Sequence, residues 1–279
     1  MPHGLILYLV LVAIGTALAV GYWQYRRLRR QRLRAIRNFP YEWDQILQRN
    51  LTLYRYLPAN LKRELQGNVR VFLDEKNFEG CGGLTLTDEI RVTIAAEACL
   101  LLLNRPAELY PALTTVLVYP HVYSAPVREQ NGAVVTEGDQ LRLGESWRLG
   151  VVVLAWDAVQ RGGVDAADGR NVALHEFAHQ LDGEDGRVDG APAVGSAERY
   201  RAWVHVFGEA FAQLQEQVAA LRDTVLDAYG ATSPAEFFAV ATETFFERPH
   251  DLKAQSPDLY RVLAEFFRLD PAAWLPAPA

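Results

Sequence analysis

Val172-Ala173-Leu174-His175-Glu176-Phe177-Ala178-His179-Gln180-Leu181 is an apolar, helix-prone run that carries His-Glu-x-x-His at positions 175–179. On a helix, residues four apart lie one turn above each other on one face. Two imidazoles at that spacing can reach one tetrahedral metal ion, at roughly 2.0–2.1 Å per Zn–N bond. Glu176 sits about 100° round the helix. It is placed to take a proton from water activated at the metal without being a ligand. The bland alternative is a helix with two hydrogen-bonded histidines. A catalytic zinc needs a third protein ligand, so the rest of the chain has to be searched for one.

With 279 residues, half of them apolar and 11% aromatic, the chain has material for a sizeable core. Its net charge of −6 is unevenly placed. Residues 1–37 hold seven arginines and no acid, which leaves −13 on the remainder. An acidic body argues against nucleic-acid binding. Cys81 and Cys99 are the two cysteines. Two cysteines without close spacing make neither a disulfide scaffold nor a zinc knuckle, and so small a number fits a reducing compartment. Cys99, in the apolar run Thr93–Leu103, is expected in the core. Cys81, in Gly80-Cys81-Gly82-Gly83, is expected as a small buried residue in a turn.

Gly4 to Tyr22 is a stretch of 19 residues without charge, about the length that crosses a hydrocarbon core. Tyr22, Trp23 and Tyr25 follow as interfacial aromatics do, and then Arg26-Arg27-Leu28-Arg29-Arg30-Gln31-Arg32. The positive-inside rule puts that cluster, and all that follows, in the cytoplasm. Ala17-Leu18-Ala19 resembles a signal-peptide cleavage site, but no Lys or Arg precedes the apolar run. An uncleaved single-pass anchor is the better reading, with the arginines against anionic head groups.

Beyond the anchor, Phe39–Leu65 reads as two short helices broken at Leu57-Pro58. Val69–Leu73 alternates like a strand. Thr85 with Asp88 resembles a capping pair opening a buried helix that runs to about Leu103. Thr115–Tyr119, Ala133–Thr136 and Val151–Trp156 are β-rich. Helices follow at about 169–182, 197–222, 234–247 and 257–268, with a Gly/Asp/Pro-rich loop from Asp182 to Ser196 and a frayed Pro-Ala tail. There is no internal repeat. Helices, then a small mixed sheet, then helices, make the fold class α+β.

Several residues compete for the third-ligand position. The extended pattern His-Glu-x-x-His-x-x-Gly-x-x-His puts Asp182 where the glycine belongs and Asp185 where the last histidine belongs. Asp182 reads either as an acceptor for a ligand imidazole or as a solvated loop acid. Downstream, Ser233, Pro234 and Glu236 read as N-cap, N1 and N3 of a helix. Glu236 is therefore either a capping acid or a ligand. Glu243, two turns further on the same face, is a plausible partner. His205 and His250 sit among exposed or helix-face residues and are not expected as ligands.

Taken together, His175–Asp182, Tyr229-x6-Glu236-Phe237-Phe238-Ala239, Gly80–Leu84, Ile94–Leu101, Leu154–Asp157 and Asp182–Pro192 resemble the Mlc titration factor A family of bacterial zinc peptidases. The resemblance covers about residues 40–270. It implies a zincin-like, gluzincin arrangement, similar to the anthrax lethal factor metalloprotease domain. In that arrangement His175, His179 and Glu236 hold Zn2+, Glu176 is the general base, and Tyr229 stabilises the oxyanion. A phenol with a pKa of about 10 stays protonated and can donate to a developing alkoxide. The resemblance implies hydrolysis of peptide bonds, of aminopeptidase type. Its alternative is a regulatory protein that captures a transcriptional repressor in glucose-uptake control with little proteolysis. The expected layout is an anchor at 1–25, a basic juxtamembrane segment at 26–38, a peptidase domain at 39–270 and a tail at 271–279. The expected location is the bacterial inner membrane with the domain in the cytoplasm. The expected partners are a peptide or protein substrate and the membrane, and no nucleic acid.

Overall fold

The computed structural model describes residues 2–35, 38–105, 109–121, 129–131, 134–136 and 150–277. Ala133 and the last two residues of the tail, both named above, lie outside the described residues. The chain opens with helix α1 (Pro2–Ala35), followed by α2 (Tyr41–Asn50), α3 (Thr52–Tyr56) and α4 (Ala59–Glu75). Strand β1 (Asn77–Gly80) leads to α5 (Asp88–Leu100) and β2 (Thr115–Tyr119). A short hairpin, β3 (Glu129–Asn131) and β4 (Val134–Thr136), precedes β5 (Val151–Ala155). Helices α6 (Trp156–Val164), α7 (Val172–Asp182), α8 (Ala197–Ala219), α9 (Pro234–Glu247), α10 (Pro249–Gln255) and α11 (Pro257–Phe267) complete the α+β architecture.

The main sheet has the order β1-β2-β5 and is wholly parallel, with Thr115 opposite Val151 and Val118 opposite Leu154. Among the described residues, antiparallel pairing is confined to the separate β3–β4 hairpin, so the expected mixed sheet is two sheets of different kind. Alternation buries Val116 and Val118 of β2 and Val152 and Leu154 of β5 on one face. Helix α7 packs against β5, α5 and α9. Phe177, fully buried on α7, meets Phe72 and Tyr110 ring to ring.

Val69–Leu73 is not a strand; it lies inside α4. Leu61, Leu65, Val69 and Phe72 are all buried at helical spacing, and that stripe overrides the short alternation. The strand falls instead at Asn77–Gly80, a segment with one apolar side chain and no sequence signal. Helix α5 starts three residues after Thr85: Thr87 is its N-cap and accepts from the Ile90 N–H. Trp156 opens a helix rather than closing a strand, and α10 was not expected. Cys99 is buried, whereas Cys81 is only half-buried. The tail is not frayed up to Leu275. Pro271–Ala273 forms a 3-10 turn, and the Ala272 N–H donates to the Tyr260 hydroxyl.

Helix α1 packs along α4. Arg29 pairs with Asp74, Arg30 forks onto both oxygens of Glu75, and Arg26 adds a contact to Glu75 at 3.3 Å. Part of the arginine cluster is thus committed to the domain rather than to head groups. Tyr8, Leu9, Leu11, Val12, Ile14, Leu18 and Val20 are exposed on α1. Among the described residues, no helix is long and apolar enough to cross a membrane.

Candidate metal centre

Asn171 starts α7. Its Oδ1 accepts from the Ala173 and Leu174 N–H groups, which an N-cap side chain does for two of the unpaired donors of a helix start. Helix α7 then presents His175 and His179 on one face, ring centroids 4.9 Å apart. Helix α9 starts at Ser233, whose Oγ accepts from the Glu236 N–H, with Pro234 at the first turn. The Glu236 side chain does not complete a capping box; it turns to the histidines. Its Oε2 lies 2.9 Å from His175 Nε2 and 3.5 Å from His179 Nε2, and the two Nε2 atoms are 3.2 Å apart. Among the described residues this is the one group of three potential ligands whose donor atoms all lie within 4.8 Å of one another.

Around this trio the carboxylates divide by environment. Burial works against charge on His175, but Glu236 and Glu243, each hydrogen-bonded to a ring nitrogen, hold its pKa up at about 10. Burial would raise Glu236, yet the same imidazoles bring it down to about 2. For His179 burial dominates and the pKa is lowered. Glu243 Oε1 accepts from His175 Nδ1 at 2.7 Å, which fixes the ring with Nε2 turned to the trio. Its Oε2 accepts from the Asn171 N–H at 2.5 Å. Asn171 Nδ2 donates in turn to Glu97 Oε1 at 3.2 Å. Glu97 is fully buried on α5, its Oε2 has no partner, and burial pushes its pKa up to about 8, with Asn171 pulling the other way. One asparagine therefore joins α5, α7 and α9 behind the trio.

Glu176 is buried and lines a groove of about 820 Å3 that also exposes His175, Tyr229, Asp227 and Val240. Tyr229 stands on the 3-10 turn Ala228–Ala231, its ring 6.0 Å from that of His175. Asp227 caps that turn through the Tyr229 N–H and accepts from Arg170. Gly230 lets the turn press onto α9 and α8: a Cβ there would meet Val240 at 3.2 Å and Leu214 at 3.3 Å. Burial first, then Glu236 and Glu176, raise the Tyr229 pKa.

The competing ligand candidates are elsewhere. Asp185 is exposed and accepts from the Arg187 N–H. Asp182 is neither a solvated acid nor an acceptor for a ligand ring. It is fully buried and accepts from the Gly190 N–H at 2.8 Å, and burial raises its pKa to about 7. Gly190, at φ 78°, has no room for a side chain, since a Cβ would sit 2.3 Å from the Pro234 carbonyl oxygen. That contact ties the loop after α7 to the start of α9. His205 faces Glu209, and His250 Nε2 faces the Leu275 carbonyl. Sequence reasoning missed Asn171 and Glu97. An N-cap residue directly before an apolar run was a usable signal for Asn171; nothing marked Glu97.

Residues 25–268 match the model of the glucose-regulated metallo-peptidase M90 family. An uncharacterized protein, slr2042, from Synechocystis is 42% identical over 237 residues, covering 84% of this chain and 86% of its own length. Proteins named Mlc titration factor A are also similar. That of Klebsiella pneumoniae is 32% identical, with 83% of this chain and 87% of its own covered. That of Yersinia pestis is 30% identical, with 84% and 86% covered.

Proposed function

The chain belongs to the glucose-regulated metallo-peptidase family, and from that premise we propose that it is a zinc-dependent, zincin-like peptidase that hydrolyses peptide bonds, of aminopeptidase type. The observation that carries the reading is the meeting of His175 Nε2, His179 Nε2 and Glu236 Oε2 within 4.8 Å. Four ligands at roughly 2.0–2.1 Å around a tetrahedral ion stand about 3.3–3.4 Å apart. The three donor separations here, 2.9, 3.2 and 3.5 Å, bracket that edge. Two imidazoles and one carboxylate are also a donor set that zinc takes with a fourth position left to solvent. His175, His179 and Glu236 are the residues assigned to hold it. Bound there, zinc would act as a Lewis acid toward the scissile carbonyl and would lower the pKa of water.

The chain's own residues supply the rest. Glu176 takes the proton from the attacking water and delivers it to the leaving amine. Tyr229, its phenol kept protonated, donates to the oxygen that gains charge. Glu243 keeps the His175 proton on Nδ1, away from the ligand position. Strand β5 stands at the edge of the β1-β2-β5 sheet, where an extended peptide can add by main-chain pairing. Glu176→Gln tests the assignment. Zinc content is expected unchanged, and kcat on a panel of peptide amides is expected to fall at least about a hundredfold. Turnover that survives this change contradicts the mechanism.

The name of the Klebsiella and Yersinia relatives, Mlc titration factor A, favours a second reading: capture of a repressor of the Mlc kind. Glu176→Gln separates the two, since capture does not need the base. We also propose that α1 is a single-pass inner-membrane anchor with the domain in the cytoplasm. The uncharged run Gly4–Tyr22 and the exposed leucine and valine side chains of α1 support it. Retention of the full chain in carbonate-washed membranes is the expected result, and release into the soluble fraction would remove this proposal.

A further inference from the structure

A second cleft, of about 740 Å3, shares no residue with the catalytic groove. It lies at the N-terminus of the 23-residue helix α8, between that helix, Arg105 in the segment after α5, and α11. Arg105, Arg199 and Arg268 line it, over a floor that includes Trp203, Val262 and Phe266. Residues 38–279 carry a net charge of −13, so three arginines lining one cleft run against the charge of the body. Two acids also line the cleft, but Glu265 is paired with Arg261, which leaves Glu198.

Arg105 is the decisive residue. Its side chain is nine-tenths buried, and its guanidinium lies 4.5 Å over the Phe266 ring. The nearest carboxylate oxygen, Oε2 of Glu184, is 3.6 Å away, beyond hydrogen-bond distance. Arg105 Nη1 is buried with no acceptor. Arg105 is thus ion-paired with Glu184, but one of its guanidinium nitrogens is buried without an acceptor, which is costly, and an entering anion relieves that cost. The Arg105 segment is fixed to Arg268 by Asn104 Nδ2, which donates to the Arg268 carbonyl at 3.0 Å. The N–H groups of the first turn of α8 add partial positive charge at the same place.

We propose that this cleft binds a small organic anion, with a carboxylate or phosphate seated among Arg105, Arg199 and Arg268 and a flat apolar body against Phe266 and Trp203. Isothermal titration of the full chain with benzoate and with phenyl phosphate, at fixed ionic strength, tests it, with neutral benzamide as the control. Binding of at least one anion and none of benzamide is expected. Arg199→Ala and Arg268→Ala, both at exposed positions, are expected to weaken that binding about tenfold each, as loss of a charge-assisted hydrogen bond does. Their thermal melts show whether they fold. The benzoate and phenyl phosphate arms decide which anionic group the cleft takes. Absence of binding, equal binding of benzamide, or affinity unchanged in the arginine variants would each overturn the proposal. Binding abolished by chelation but indifferent to the arginines belongs to the metal centre and overturns it too.

Discussion

His175 makes the residue-scale argument most clearly, because its two ring nitrogens have different tasks. Glu243 takes the Nδ1 proton and Glu236 faces Nε2, so the ring is aligned before any ion arrives. Such partners are worth roughly 10–100-fold in metal affinity. Tyr229 shows the opposite economy. It is exposed, carried on its turn, and set beside the His175 ring by Asp227 and Gly230. Under the proposed mechanism a residue placed this way adds to the transition state and little to the fold. Tyr229→Phe should therefore lower kcat by about 10²–10³ while leaving KM and zinc content near the parent values. A change confined to KM would assign the phenol to substrate binding instead. The candidate ligands His175 and His179 were readable from spacing because helical periodicity is local. The choice of Glu236 over a capping role was not, since Ser233 and Glu236 satisfy the helix start whichever way the Glu236 side chain turns.

At the scale of elements, the site is a junction of α5, α7 and α9, and Asn171 with Glu97 and Glu243 is the joint. Glu97 carries a stability consequence. Its pKa stands at about 8 in the folded chain against 4.5 when unperturbed. Between those values the folded chain keeps a proton that the unfolded chain has lost. Stability from this group is therefore present at low pH, falls as pH rises through that window, and is gone above about pH 8. Glu97→Gln should flatten this fall: the melting temperature should drop less between about pH 5 and pH 8.5 than in the parent. An equal drop in the variant would assign the effect to other groups. Nothing in the sequence around Glu97 announced this. A lone acid in an apolar helix shows its partner only when α7 is laid against α5. The same reason explains Val69–Leu73, whose five residues looked extended until the stripe from Leu61 to Phe72 was packed against α1 and α5.

For the whole molecule, order in the chain and order in space differ in one respect that matters for chemistry. The two halves of the trio are 57 residues apart between His179 and Glu236, and the loop and helix between them bring the ends together. Asp182 grips Gly190, Gly190 abuts Pro234, and Trp203 Nε1 donates to the Gly190 carbonyl. The α+β class was legible from the succession of apolar patterns. The parallel sheet was not, because strand direction depends on crossovers that no local pattern encodes. The N-terminal helix adds a second long-range tie, with Arg26, Arg29 and Arg30 set against Asp74 and Glu75. Metal stoichiometry of the purified full chain and of Glu236→Gln, measured side by side by elemental analysis after dialysis, tests the central claim most directly. About one zinc per parent chain and far less than one in the variant is the predicted result, since three protein ligands are needed to retain the ion. Equal zinc in both proteins would contradict the account, because the acid on α9 would then not be holding the metal.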